Sequence, residues 1–243
     1  YPEEVNQLIR KAGYLISMSV SDLSQLTRDD MQDRVPADSV SEDSPIPPPG
    51  DEPVVGVIDT QFDEKVYFSE WVDYHKMIDE NIPLREADFY HGTAVTSIIV
   101  DGPRGNPGLE DGCGRFRVRH FGVATDGPFS SFTVLRQIRS IVSGNRDIKV
   151  WNLSLGSAME IKANSISPEG AELDKIQNEF DVLFIVAGTN KPSSDAKNGM
   201  KIGAPADSLN SLVVNSVGFD GKPASYTRVG PVLSFFYKPD VSY

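Results

Sequence analysis

The feature that most constrains the fold is an alternation of short apolar runs with longer helical patterns. The strand-like runs occupy residues 54–58, 116–123, 148–153, 182–187 and 212–217. The helical patterns between them lie near residues 91–100, 131–143 and 168–179. Strands that alternate with helices favour a parallel sheet with helices on both faces. The sequence therefore predicts an α/β fold built on a mainly parallel sheet.

The first 53 residues differ in composition from the rest of the chain. Residues 1–35 carry two short helical patterns, whereas residues 36–53 are rich in proline, serine and acidic residues. A proline-rich polar stretch is typical of a semi-extended linker. We therefore predict a small helical N-terminal appendage over residues 1–35, a linker over 36–53 and the α/β domain over 54–243.

Composition argues against several classes of function. The net charge of −12 disfavours a nucleic-acid partner, which needs a basic surface. No apolar run is long enough to span a bilayer, so no membrane partner is expected. Cys113 is the single cysteine, which excludes an internal disulfide and is compatible with the cytoplasm. No phosphate-cradling glycine motif is present, which disfavours a nucleotide-binding protein.

Polar residues lie where the predicted strands end. Asp59 directly follows one buried strand, and Asn152 and Asn190 lie at the ends of two others. Functional sites of parallel sheets gather at these carboxyl ends. A buried carboxylate needs a partner, and an imidazole such as that of His91 is a natural one. For Asp59 the alternative is a turn-forming or helix-capping aspartate, and for His91 it is a helix-capping or structural histidine. His75 and His120 have no comparable sequence context, so we expect them to be structural or exposed.

Four motifs in chain order extend this pattern into a family resemblance. They are Asp59-Thr60, His91-Gly92-Thr93, the segment 152–156 and the segment 187–190. Together they resemble the subtilisin-like serine proteases (subtilases) over residues 54–241. The resemblance implies a three-layer subtilisin-like fold and hydrolysis of peptide bonds by an Asp/His/Ser triad. It assigns Asp59 and His91 to the first two members, with His91 as general base.

The same resemblance assigns residues that bind the substrate. A peptide or protein substrate is expected to add as a strand along Ser154, Leu155 and Gly156, with Ala187 and Gly188 nearby. Asn190 is favoured over Thr189 as the oxyanion donor, although both alignments are open. Gln61 replaces the glycine that the family places after Asp-Ser/Thr, so a different turn is expected there.

The third member of the triad is absent from the sequence. The family's Gly-Thr-Ser nucleophile motif occurs nowhere in the 243 residues, so we expect the C-terminal part of the fold with its nucleophile helix to be missing. A downstream segment or a second chain could supply the serine. Alternatively, the chain is a non-catalytic peptide-binding module. We also expect an exposed apolar groove beside Asp59 and His91, or self-association that covers it.

No cofactor and no catalytic metal are expected from the sequence. Acids such as Asp63, Asp101 and Asp111 leave a structural calcium ion open, but they have no recognisable ligand spacing.

Overall fold

The computed structural model describes residues 46–105, 110, 112–126, 131–157, 160–189, 201–218, 220–224 and 226–242. The predicted helical appendage over residues 1–35 and the first part of the linker lie outside these residues. Among the helices that are described, none is long and apolar enough to cross a bilayer.

The described elements alternate along the chain as the sequence predicts. The strands are β1 (Val54–Asp59), β2 (Val72–Lys76), β3 (Arg117–Gly122), β4 (Val150–Leu153), β5 (Leu183–Ala187), β6 (Leu212–Asn215), β7 (Gly230–Leu233), β8 (Phe236–Lys238) and β9 (Val241–Ser242). The helices are α1 (Tyr90–Gly105), α2 (Ser131–Gly144) and α3 (Pro168–Phe180), with short 3-10 turns at Ser69–Trp71 and Glu86–Phe89. Helical geometry breaks in α1 at Asp101, two residues before Pro103.

Seven of these strands form one parallel sheet in the order β2-β3-β1-β4-β5-β6-β9. Strands β7 and β8 form a separate antiparallel pair. The predicted α/β class with a mainly parallel sheet is confirmed. Because β1, β4 and β5 are neighbours that run in the same direction, their carboxyl ends meet at one edge of the sheet.

Helices cover the sheet on both faces and create two apolar cores. On one face, Trp151, Leu153 and Phe184 pack in a cluster with residues of α2 and α3. On the other face, Val57 and Val118 pack in a second cluster with residues of α1. The chain is thus a three-layer α/β fold, as predicted.

The end of the proline-rich stretch packs against the domain. Ile46 contacts the second core cluster, and the indole N–H of Trp71 donates to the carbonyl of Pro47 over 3.0 Å. The N–H of Arg117, the first residue of β3, bonds to the carbonyl of Pro53. These contacts hold the residues that lead into β1 against the sheet.

The α1 side of strands β4, β5 and β6 is partly open to solvent. Asn152 pairs in register with Val57, so the two side chains lie on the same face of the sheet. At Val57 this face is covered by α1. On that face, Val150 and Leu183 are 39% and 38% exposed. The same face of β5 and β6 carries further apolar side chains that are half-buried, namely Ile185, Leu212 and Val214. Val150 and Leu183 begin β4 and β5, whereas Asp59 ends β1 at the opposite edge of the sheet, so the groove expected beside Asp59 and His91 stays a prediction.

Candidate active site

Asp59 ends β1 with a fully buried side chain. Its Oδ1 accepts a hydrogen bond from the N–H of Thr60 over 2.7 Å and lies 2.6 Å from Nδ1 of His91. The predicted hydrogen-bond contact between these two side chains is thus present. The second carboxylate oxygen, Oδ2, is buried and has no hydrogen-bond partner among the residues that the structure describes. The carboxylate is therefore held through a single oxygen.

His91 is the second residue of α1, and its side chain is 25% exposed. Burial alone would lower the pKa of His91, but the charge of Asp59 and its hydrogen bond to the ring outweigh this effect. The charge of Asp126 adds to them, so the net pKa of His91 is raised above 6.5. Since Asp59 takes Nδ1, the other ring nitrogen, Nε2, is the one available to a reacting group.

Backbone contacts fix α1 against the end of β1. The N–H of Gly92 donates to Oγ1 of Thr60 over 2.8 Å. A Cβ atom on Gly92 would lie 2.7 Å from the carbonyl oxygens of both Thr60 and Gln61, and 2.9 Å from Cε1 of His120. Only a residue without a side chain allows this approach, which explains the glycine after His91.

His120 is a buried residue whose position behind this site the sequence did not reveal. Its Nε2 lies 2.8 Å from the carbonyl of Thr60, and its Nδ1 lies 2.9 Å from Oγ1 of Thr96. A carbonyl only accepts, so Nε2 carries the proton and Nδ1 accepts from the threonine hydroxyl. Burial lowers the pKa of His120, which keeps the ring neutral. Of the two sequence readings, structural or exposed, the structural one is right, because the ring is fully buried.

Gln61, which departs from the family's glycine, builds the turn with its side chain. Its amide nitrogen donates to the carbonyl of Ala124 over 2.6 Å, and its amide oxygen accepts from the hydroxyl of Tyr74 over 2.6 Å. The amide oxygen also lies only 2.5 Å from the position that a Cβ atom on Gly122 would take, so a side chain there would clash with it. The side chain therefore links the end of β1 to β2 and to the segment after β3.

The two segments assigned to substrate binding lie at the carboxyl ends of β4 and β5. Leu153 and Val186 are paired in register, so the segments leave the sheet side by side. Oγ of Ser154 accepts a hydrogen bond from the side-chain amide of Asn152 over 2.9 Å. The N–H of Ser157 bonds to the carbonyl of Ala204 and anchors the first segment at its far end.

An apolar cleft lies beside the first of these segments. It is lined mainly by aliphatic side chains from α2 and from the end of β4, among them Val134, Leu135, Ile138, Leu153 and Leu155. Residues 155–157 form one wall of the cleft.

The structure describes only one of the two candidates for the oxyanion donor. Asn190 lies outside the described residues. Thr189 is described, with a left-handed backbone (φ 65°). Its Oγ1 donates to the carbonyl of Gly188 over 2.7 Å and accepts from the N–H of Gly203 over 2.9 Å. The hydroxyl of Thr189 is thus used within the fold.

The acids considered for calcium have other roles where the structure shows them. Asp101 pairs with Arg115 over 2.7 Å and accepts from the hydroxyl of Tyr67. Asp63 accepts from the N–H of Lys65, and Asp111 lies outside the described residues. Across the described part of the chain, no group of three or more His, Cys, Asp or Glu side chains is arranged to hold a metal ion.

Comparison with known proteins identifies the family of this site. The subtilase family (peptidase S8) matches residues 50–243. Among solved structures, the chain is similar to the prenylagaramide maturation protease PagA, with 22% identity and a TM-score of 0.53 over 74% of this chain and 59% of that one. A mutant of the protease domain of PatA shows 20% identity and a TM-score of 0.54, covering 74% of this chain and 63% of that one.

A third similar structure is the psychrophilic subtilisin-like protease Apa1 from the Antarctic psychrotroph Pseudoalteromonas sp. AS-11. It shows 17% identity and a TM-score of 0.53, over 74% of this chain and 40% of that one. These likenesses concern the fold, and the chain spans less than two thirds of each of these proteins. Among curated proteins, no sequence matches.

Proposed function

Because this chain belongs to the subtilase family, we propose that it forms the Asp/His part of a serine peptidase domain that hydrolyses peptide bonds. The observation that carries the proposal is the 2.6 Å contact between Asp59 and His91 at the carboxyl edge of the parallel sheet. Peptide binding alone requires neither a buried carboxylate nor an imidazole paired with it. Their pairing is the arrangement that general-base catalysis needs.

In this mechanism Asp59 holds His91 with Nδ1 protonated. Nε2 is then unprotonated and can take the proton of a serine hydroxyl while the serine oxygen attacks the substrate carbonyl. The same nitrogen returns the proton to the leaving amine when the C–N bond breaks. Asn190, or Thr189 in the alternative alignment, stabilises the oxyanion of the tetrahedral intermediate. We assign no step to a metal ion or cofactor.

The peptide is proposed to lie along the segment after β4. Its backbone pairs with Ser154, Leu155 and Gly156 as an added strand, and the segment Ala187-Gly188 forms the opposite wall. The apolar cleft beside Leu155 then holds one apolar side chain of the peptide. The substrate class is thus an extended peptide or an exposed loop of a protein.

We propose that the serine comes from a helix that lies on the open sheet face, supplied by a downstream segment or by a second chain. The face carries partly exposed Val150 and Leu183 and continues through half-buried Ile185. Contiguous apolar surface of this kind marks a place where another element packs. The face begins at the amino ends of β4 and β5, and Asp59 lies at the carboxyl end of the neighbouring β1. A helix on this face would have to run along the strands to bring its serine to the dyad.

The absence of Gly-Thr-Ser from the sequence favours a second candidate, a peptide-binding module without catalysis. Labelling with a serine-directed fluorophosphonate separates the two. We expect no labelling of the 243-residue chain and labelling of the downstream-extended protein, lost on His91→Ala and kept on His75→Ala. An extended protein that contains a serine motif yet stays unlabelled would refute the peptidase proposal. Labelling of the 243-residue chain would show that the serine lies within it.

A further inference from the structure

His120 joins the two elements that carry Asp59 and His91. From β3, its Nε2–H donates to the carbonyl of Thr60, the residue directly after Asp59, over 2.8 Å. Its Nδ1 accepts from the hydroxyl of Thr96 in α1 over 2.9 Å. The ring therefore bonds on one side to the residue that follows β1 and on the other side to the helix that carries His91.

The ring of His120 is enclosed on the sides that make no hydrogen bond. It is fully buried, and the ring centroids of Phe62 and Tyr74 lie 5.6 Å and 5.7 Å from its own. A Cβ atom on Gly92 would lie 2.9 Å from Cε1 of the ring. Gly92 and Thr96 are four residues apart and so lie on the same side of α1, where the ring spans one turn. The ring thus sets how closely the start of α1 approaches the sheet.

Thr60 is the residue through which the ring reaches both members of the dyad. Its N–H donates to Oδ1 of Asp59 over 2.7 Å, and its Oγ1 accepts from the N–H of Gly92, next to His91, over 2.8 Å. Its third polar group, the carbonyl, is the one that His120 holds. One residue therefore orients the carboxylate and the start of the helix, and its own orientation depends on His120.

We propose that His120 is a positioning residue of the dyad, which holds Thr60 and α1 where Asp59 meets Nδ1 of His91. An aliphatic side chain at this position would fill space but leave the buried carbonyl of Thr60 without this donor. Such an acceptor is costly to leave unpaired, so Thr60 would turn toward another donor and move the groups it supports. The inference rests on the proposed function for its effect on catalysis, but not for its effect on the geometry of the dyad.

NMR spectroscopy of the 243-residue chain tests the inference at His91 itself, without the need for a nucleophile. The readouts are the pKa of His91 and the nitrogen chemical shifts of its ring, which report the nitrogen that carries the proton. His120→Leu removes both hydrogen bonds, and Thr96→Val removes only the bond to α1. His120→Gln offers an amide that both donates and accepts. Val118→Ala is the matched control, because Val118 lies two residues earlier on the same face of β3 and packs with residues of α1 in the second core cluster.

In His120→Leu the pKa of His91 should fall by at least about 0.5, because a displaced ring loses part of the effect of a neighbouring opposite charge, about 1–3 in pKa. Burial keeps His120 neutral, so its removal takes no charge from the dyad and the fall reports geometry. The ring signals should also move toward a mixture of the two neutral tautomers. The pKa should fall less in Thr96→Val, recover in part in His120→Gln and stay at the wild-type value in Val118→Ala.

An unchanged pKa and tautomer of His91 in both His120→Leu and Thr96→Val overturn the inference. An equal change in Val118→Ala also overturns it, because lost packing alone would then explain the effect. If His120→Leu does not fold, Thr96→Val decides alone, and an unchanged His91 in that variant overturns the inference.

The downstream-extended protein separates this inference from the proposed function. There His120→Leu should lower kcat by about tenfold or more and leave KM nearly unchanged, because a misplaced base slows the reaction without altering the peptide-binding segments. A loss confined to KM would overturn the positioning role. A wild-type extended protein that contains a serine motif and stays unlabelled would refute the peptidase proposal, whereas the NMR result on the 243-residue chain would still decide whether His120 positions the dyad.

Discussion

Replacing Gly92 with alanine tests whether the contact between α1 and the end of β1 positions the dyad. The added methyl group would lie 2.7 Å from two carbonyl oxygens, those of Thr60 and Gln61. Both are backbone atoms, and Thr60 is itself held by the ring of His120. Neither neighbour can rotate away, so α1 must shift together with His91.

The magnitude follows from two opposed effects. In a helix, alanine is favoured over glycine by about 0.5–1 kcal/mol. Forcing a methyl group into a packed site costs about 1–3 kcal/mol, and the upper half of that range is expected where backbone atoms are struck. Gly92→Ala should therefore lower the free energy of unfolding by about 1–2 kcal/mol. In a chain of this length, each kcal/mol lowers the melting temperature by about 2–4 °C.

Thermal unfolding and NMR titration of His91 together check this reasoning. Gly144→Ala is the control, because Gly144 also lies in a helix and a Cβ atom there meets no atom within 4 Å. The control should be as stable as wild type or slightly more stable. In Gly92→Ala the pKa of His91 should also fall, because a displaced ring loses part of its contact with Asp59. If Gly92→Ala melts with the control and keeps the pKa of His91, the contact does not position the dyad.

Two further predictions concern the histidines. Asp59→Asn removes the charge that raises the pKa of His91 but leaves its burial, so this pKa should drop below 6.5 in an NMR titration; an unchanged value would show that Asp59 does not set it. For His120 burial lowers the folded-state pKa, so the unfolded chain binds more protons, and stability falls as the pH drops below 6.5. Urea unfolding should therefore show that wild type exceeds His120→Gln in free energy of unfolding by less at about pH 5.5 than at about pH 7.5. A difference that grows at the lower pH would contradict the buried neutral ring.

The sheet could be predicted because its central strands read as nearly unbroken apolar runs and are fully buried on the face that α2 and α3 cover. Strands β1 and β5 lie where the runs 54–58 and 182–187 predict them. Strand β2 gave no such signal, since Asp73 and Lys76 are exposed at the edge of the sheet. The pair β7–β8 includes Gly230 and Pro231, which are typical of turns.

The contact between Asp59 and His91 was predictable because each residue is marked locally, by a strand end and by a run of small residues. The side chains that support this contact could not be predicted. Gln61 finds its partner at Ala124, 63 residues away, and His120 finds its partner at Thr60, 60 residues away. Whether a polar residue in an apolar run is buried and satisfied depends on such distant partners. No local pattern carries that information.

The dyad is assembled where β1 ends and α1 begins, at a cost that other contacts must offset. Asp59 keeps one buried oxygen, Oδ2, without a hydrogen bond in the described part of the chain, and such an atom costs about 1–3 kcal/mol. Natural folds sustain a cost of this kind mainly at functional sites, where it serves a reaction. Here the bonds of Oδ1 to Thr60 and His91 hold the carboxylate in place. The 2.6 Å contact of Oδ1 with Nδ1 of His91 fixes which ring nitrogen faces away from the carboxylate, so the orientation of the ring depends on how β1 and α1 meet.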